Sequence, residues 1–202
     1  FTNEKDRRLD SGVMNAHQKA SLGTGNLMKY VEDYYQVNDD FDSIAGLSQI
    51  MQAEAIRFAV ETHRRNMPYC MGTLYWQFND CWPVISWSSI DYGGNWKALH
   101  YAARKFFSPL LVSMRDLDNK IEIHVTNDQH NEIESEIRLG LFNFNGDTLF
   151  NHSSDIKVEP FSSVVYRAFD KDDLLGGSDP SAIIFRAELL VGRKVLSRAH
   201  QF

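Results

Sequence analysis

From Ser108-Pro109 onward the chain alternates. In KIEIHVTND, Ile121, Ile123 and Val125 fall on one side of an extended backbone, and Glu122, His124 and Thr126 fall on the other. That is the period of two that a strand imposes. Similar short apolar segments are LLVSMRD, IESEIRLGLFNF, DTLFNHSSDIKV, SSVVYRAFD, AIIFRAELL and KVLSRAHQF, separated by Asn, Asp and Gly turns every 10 to 15 residues or so. Six or seven such segments in roughly 95 residues predict an antiparallel β-sandwich of immunoglobulin-like type.

Before residue 108 the period is helical. Asn26 is placed to cap LMKYVEDYY, with Leu27, Tyr30, Val31 and Tyr34 on one stripe. Asp42 or Ser43 opens a longer helix to about Arg65, with a stripe of Ile44, Leu47, Ile50, Met51, Ala55, Phe58, Ala59 and Thr62. His63, Arg64 and Arg65 form its exposed, dipole-favoured end, and Pro68 stops it. MGTLYWQF reads as a buried strand, residues 78 to 94 as a loop, and Asn95 as the cap of WKALHYAARKFF. Helix, strand, long loop, helix is the rhythm of an α/β unit with a parallel strand. A strand buried on both faces needs parallel neighbours, and this segment supplies none. The expected domains are 1–108 and 109–202, an α+β chain overall.

Composition narrows the function classes. The chain has 202 residues, 43% apolar and 24% charged, as in globular domains. A net charge of -6 with no basic run longer than two residues argues against nucleic acid as a partner. No apolar run approaches the roughly 18 residues of a membrane-spanning helix, so no membrane partner is expected. FTNEKDRRLD has no apolar core of a signal peptide. Cys70 and Cys81 form no CxxC or Cys/His cluster, so neither a metal nor another cofactor is expected, and Cys70 reads as a buried thiol.

The candidate chemistry lies in GTLYWQFNDCWPVISWSSIDYGGNW, which holds Trp76, Trp82, Trp87 and Trp96, all four tryptophans of the chain. A Trp at the C-terminal end of a parallel strand sits where α/β barrels place their sites. Its flat face suits the C–H face of a pyranose. Gln77, Asn79 and Asp80 could bond hydroxyls, although a strand Trp is more often plain core. Asp91-Tyr92-Gly93-Gly94 reads as a turn, with Trp87 and Trp96 as packing. NAHQKASLGTGN is glycine-rich but lacks GK[ST] and a preceding strand, so it is not a phosphate loop, and His17 reads as structural. Glu54 and Glu61 stand two turns apart on a helix, in solvent, and make no glycosidase pair.

The run MGTLYWQFNDCWPVISWSSIDYGGNWKALHYAARKFFSPLLVS resembles the C-terminal part of the catalytic domain of β-mannosidases of glycoside hydrolase family two. NAHQK…GTGN and QAEAIRFAVETHRR resemble it too, strongly over about residues 10 to 115. The resemblance implies a C-terminal remnant of a (β/α)8 TIM barrel followed by an immunoglobulin-like domain. Residues 43 to 65 would be the seventh barrel helix, 71 to 76 the eighth strand and 95 to 107 the eighth helix. It also implies retaining cleavage of terminal β-D-mannose, with Trp76 lining the sugar subsite, Asn79 and Asp80 supporting it and Trp82 at its rim. The family's acid/base lies in an Asn-Glu pair and its nucleophile in a Ser-Glu-aromatic-Gly run. Neither motif is here in context, Asn3-Glu4 and Asn131-Glu132 being misplaced. The expectation is therefore a fragment with no catalytic residue, inactive alone, reaching β-mannosides or mannose-containing oligosaccharides through a parent enzyme. Its open barrel edge invites self-association. Two other readings stay open: a stand-alone carbohydrate-binding or structural module, and a non-sugar interaction protein using the aromatic surface. Compartment and organism are not legible.

Overall fold

The computed structural model describes residues 2–38 and 40–201. The chain divides into two compact units, one of residues 1–59 and 73–104, the other of residues 60–72 and 105–202. The second unit thus takes in a stretch, 60–72, that the sequence reading places in the first domain.

In the first unit, α1 (Gly12–His17) is capped by Ser11, whose side chain accepts the Met14 amide hydrogen at 3.2 Å. Helix α2 spans Gly23–Tyr34 and begins without a side-chain cap. Asn26 is therefore inside the helix rather than at its start, a correction to the expected cap. Of its stripe only Val31 is buried, while Tyr30 and Tyr34 are exposed. Helix α3 (Phe41–Arg65) has the expected length and runs from the first unit into the second. Its expected stripe is only partly inward: Ile44 is buried, but Ile50 and Phe58 are exposed. Helix α4 spans Ala98–Phe106. Asn95 does not cap it. The Ala98 amide donates to the Gln49 side chain at 3.1 Å, so a residue of α3 supplies the cap.

Residues 71–76, expected as a strand, join no ladder among the described residues. A strand is defined by the partner its N–H and C=O groups bond, and the isolated bridges, Gln18 with Ile85, Asn79 with Ile90 and Ile90 with Trp96, lie outside this segment. Leu74 is fully exposed and Trp76 is 76% exposed.

Among the described residues the second unit carries seven strands: β1 (Leu110–Asp116), β2 (Lys120–Asn127), β3 (Ile133–Asn143), β4 (Thr148–Val158), β5 (Ser162–Asp170), β6 (Ile183–Val191) and β7 (Lys194–Gln201). Each falls on one of the segments expected from alternation; Phe202, at the end of the last, lies outside the described residues. They form two antiparallel sheets, β1-β2-β5 and β4-β3-β6-β7. Ile121, Ile123 and Val125 of β2 are fully buried in one apolar cluster with Ile137, Leu139 and Leu141 of β3 and Phe185 and Leu189 of β6. Short turns set the registers. Gly192, at φ 61°, opens the two-residue link between Val191 and Lys194. A short helix, α5 (Lys171–Leu175), is capped by Asp170 and ends at Gly176 in the left-handed region.

Of the α3 end expected in solvent, His63 is exposed, but Glu61, Arg64 and Arg65 are enclosed. Arg64 is 8% exposed and donates to the Phe106 carbonyl and, at 2.8 Å, to Asp128. Glu61 is 5% exposed and pairs with Arg65 at 3.7 Å. Burial lowers the Arg64 pKa, opposed by the negative charges of Asp128 and Glu61.

Candidate functional site

The tryptophan-rich loop is held by two hydrogen-bonded strips. On the backbone, Asp80 N–H donates to Ile90 O at 3.1 Å, Ile90 N–H to Phe78 O at 2.9 Å, and Ser89 N–H to Gln77 O at 3.0 Å. The Ser89 hydroxyl, fully buried, lies 2.9 Å from Tyr75 Oη, donates to Phe78 O at 2.8 Å and stands 3.1 Å from His100 Nδ1. Both sequence neighbours of Trp76, Tyr75 and Gln77, are thus tied to Ser89. The indole between them stands outward, and the Trp76–Gln77 peptide is cis.

Beneath this strip lies a buried charge pair. The Asp80 side chain is 1% exposed and Lys97 is 15% exposed, with Lys97 Nζ 3.4 Å from Asp80 Oδ2. Ser86 Oγ donates to Asp80 Oδ1 and Ser88 Oγ to Oδ2, each at 2.6 Å, and Lys97 Nζ donates to Ser88 Oγ at 2.8 Å. Both carboxylate oxygens are occupied, which satisfies a buried anion that would otherwise be costly. Asp80 therefore faces inward. Asn79 is exposed, and its side-chain amide donates to Asp80 O at 3.2 Å.

Trp82 is 36% exposed and lies against the N-terminal segment: its ring stacks on His17, centroids 5.2 Å apart at 23°, with Lys19 Nζ 4.8 Å above the same indole. His17 Nδ1 also bonds Pro83 O. A carbonyl can only accept, so Nδ1 carries the proton. Ile85 N–H returns to His17 O at 3.0 Å. His17 is thus structural, as its sequence context suggested, but its partner was not legible there. Trp96 packs edge-on against His100 at 4.3 Å and Tyr101 at 5.1 Å. Trp87 offers its carbonyl to Gln52 Nε2 at 2.8 Å. At the far turn, Asp91 accepts from Asn95 N at 2.8 Å and Asn95 Nδ2 at 2.9 Å. Partial burial pushes the Asp91 pKa up, and these hydrogen bonds outweigh it, leaving it below the ordinary value.

Sequence reasoning missed Ser86, Ser88 and Lys97. The i, i+2 pair of hydroxyls in ISWSS was the available signal, since such residues share one side of an extended chain. No cluster of His, Cys, Asp or Glu among the described residues could hold a metal. Both cysteines are free; Cys70, expected to be buried, is partly exposed, and Cys81 is exposed. No helix of the described residues is long and apolar enough to cross a membrane. A cavity of about 570 Å³ opens in the sandwich, lined by Phe150, Arg167, Phe169 and Asp173 among others and by no tryptophan.

Comparisons with known proteins bear on the family and the fold. Residues 119–202 match the family model described as Mannosidase Ig/CBM-like domain. The chain is 35% identical to a β-mannosidase of Capra hircus over 58% of its own length and 15% of the relative's. It is 32% identical to β-mannosidase A of Neosartorya fischeri over 72% of its length and 17% of the relative's. The chain thus spans about a sixth of the curated relatives it matches. Its fold matches the crystal structure of the β-D-mannosidase of Dictyoglomus thermophilum with a TM-score of 0.92 at 28% identity, over 100% of this chain and 24% of that one. The exo-chitosanase CsxA of Amycolatopsis orientalis shares the fold at a TM-score of 0.77 and 18% identity, over 98% of this chain and 24% of that one.

Proposed function

With the chain matching the C-terminal portion of a family two β-mannosidase in sequence and fold, we propose that it contributes one wall of a β-mannoside subsite and performs no hydrolysis alone. The observation that carries this reading is Trp76. Its indole is 76% exposed although the residues on both sides of it are anchored to a buried serine. An aromatic face held rigidly in water is costly unless a ligand covers it, and a pyranose presents a matching apolar C–H face. Asn79, exposed beside it, supplies an amide for hydroxyls, and Trp82 borders the loop. Asp80 serves from below.

Retaining hydrolysis needs two carboxyl groups about 5–5.5 Å apart, one as nucleophile and one as acid. In this loop Asp80 is consumed by two serines and a lysine, and Asp91 by Asn95. Neither is available for the chemistry, and both catalytic groups are assigned to a parent enzyme of which this segment is the end of a (β/α)8 barrel plus its sandwich. Self-association through the open barrel edge at residues 71–76 belongs to the same proposal.

The test is twofold. The purified chain is assayed on an aryl β-mannoside, where release no faster than the blank is expected. Turnover abolished by Trp76→Ala would overturn the inactive reading. Methyl β-mannoside is then titrated while tryptophan emission is followed, with a response lost in Trp76→Ala expected. The family model's Ig/CBM-like description favours a second reading, a carbohydrate-binding sandwich. Retention of the Trp76→Ala chain on immobilised mannan would support that reading instead.

A further inference from the structure

We propose that the buried Asp80–Lys97 pair is a positioning device for Trp76. The inference rests on Trp76 being the sugar platform, but the device itself is defined by geometry. The Asp80 carboxylate holds the hydroxyls of Ser86 and Ser88 at 2.6 Å each. Lys97 closes the cluster from the other side, on Ser88 Oγ at 2.8 Å and Asp80 Oδ2 at 3.4 Å. The residues directly after Ser88 then grip the segment that bears the indole. Ser89 binds Tyr75, Gln77 and Phe78, and Ile90 binds Phe78 and Asp80. Lys97 adds a backbone tie, its N–H donating to Ser89 O at 2.9 Å.

The result is a closed clasp. Asp80 is both the end of the gripped segment and the anchor of the gripping one. Moving the carboxylate moves Ser88, and with it Ser89, the residue to which both neighbours of Trp76 are bonded. The pair is nearly dry, so its charges are strongly coupled and either one alone is left uncompensated. A site that works by presenting a flat ring gains from such a support, since small misplacements of a binding group are costly. Asp80 is thus a positioning residue, acting through Ser88 and Ser89, with no contact to the sugar.

The experiment uses the full chain labelled with 5-fluorotryptophan, the Trp76 resonance being identified by its loss in Trp76→Phe. Wild type, Asp80→Asn, Lys97→Met and the double variant are compared. Three readouts are taken: the position and width of the Trp76 resonance without ligand, its response to methyl β-mannoside, and the thermal midpoint. Each single variant is expected to shift or broaden Trp76 and to weaken the mannoside response about tenfold, the scale of a lost positioning contact. The double variant, which removes both charges together, is expected to recover part of the loss. A role in stability alone would move the thermal midpoint and leave the Trp76 resonance in place, and that result would overturn the proposal. Where Asp80→Asn does not fold, Ser86→Ala, which removes one hydroxyl and no charge, is read in the same way. If wild type ignores the mannoside while Asp80→Asn displaces the Trp76 resonance, the sugar subsite falls and the positioning device stands.

Discussion

His17 lies face to face with Trp82, ring centroids 5.2 Å apart and planes inclined by 23°. The contact joins the end of α1 to the tryptophan loop, and the backbone reinforces it through the bond from Ile85 N–H to His17 O. A stacked aromatic pair contributes about 0.5–1.5 kcal/mol beyond area burial, and the hydrogen bond from His17 Nδ1 to Pro83 O, which the substitution removes while the backbone bond stays, about 1 kcal/mol. His17→Ala is therefore expected to destabilise the chain by about 1–2 kcal/mol and to shift the emission of Trp82 to the red, measured in a variant with the other three tryptophans replaced by Phe. An unchanged emission maximum would show that the stack does not order the loop.

Arg64 offers a sharper stability test. Its guanidinium serves the Phe106 carbonyl and Asp128, and it is nearly enclosed. Arg64→Ala leaves that carbonyl without its donor and Glu61 with less positive charge nearby, at a cost of about 2–4 kcal/mol in urea unfolding. Asp128→Ala should cost less, about 1 kcal/mol, because Asp128 is 40% exposed and its lost partner is replaced by water. Equal losses in the two variants would contradict this account.

Gly140 is a packing requirement. A Cβ there would fall 2.5 Å from Phe142 Cζ, closer than real contacts allow. Gly140→Ala should cost about 1–3 kcal/mol by displacing the ring. Phe142→Ala in the same chain should remove most of that penalty, a coupling measurable by a double-mutant cycle. Additive losses would mean that the ring moves aside freely.

His124 makes stability depend on pH. Burial lowers its pKa, assisted by the charges of Arg65 and Arg115 and opposed by Glu122, whose Oε2 lies 3.0 Å from Nε2. The unfolded chain then holds a proton that the folded chain rejects between the folded pKa and about 6.5. Stability should fall as pH drops from about 6.5 through the folded pKa and level off below it. His124→Gln should flatten that part of the urea-midpoint profile, and an unchanged slope would assign it to other groups.

The β half of the chain was almost fully legible. Ile121, Ile123 and Val125 face the core because alternation is a local consequence of extended backbone. Helix α3 was legible in extent, but α1 was not expected at all, and the buried faces were not legible. Phe58 is exposed where its spacing suggested core, and Glu61 and Arg64 are buried where their charge suggested solvent. Asn26 and Asn95 are good caps in isolation, yet α2 begins upstream of the first and Gln49 takes the place of the second. Around the site, the tryptophan cluster marked the loop, but not the degree of cover: Trp76 stands out furthest, Trp82 is partly covered by His17 and Trp96 by His100, and Trp87 and Trp96, expected as packing, are 41% and 43% exposed.

What the sequence determined alone is what neighbours along the chain decide: strand period, helix length, turn positions and the concentration of aromatic chemistry in one loop. Tertiary structure decided the rest, because a buried charge is stable only beside a distant partner, and no local pattern names that partner. Asp80 became an interior anchor through Lys97 and two serines. Residues 71–76 join no ladder among the described residues, because a strand exists only with a neighbour to receive its hydrogen bonds.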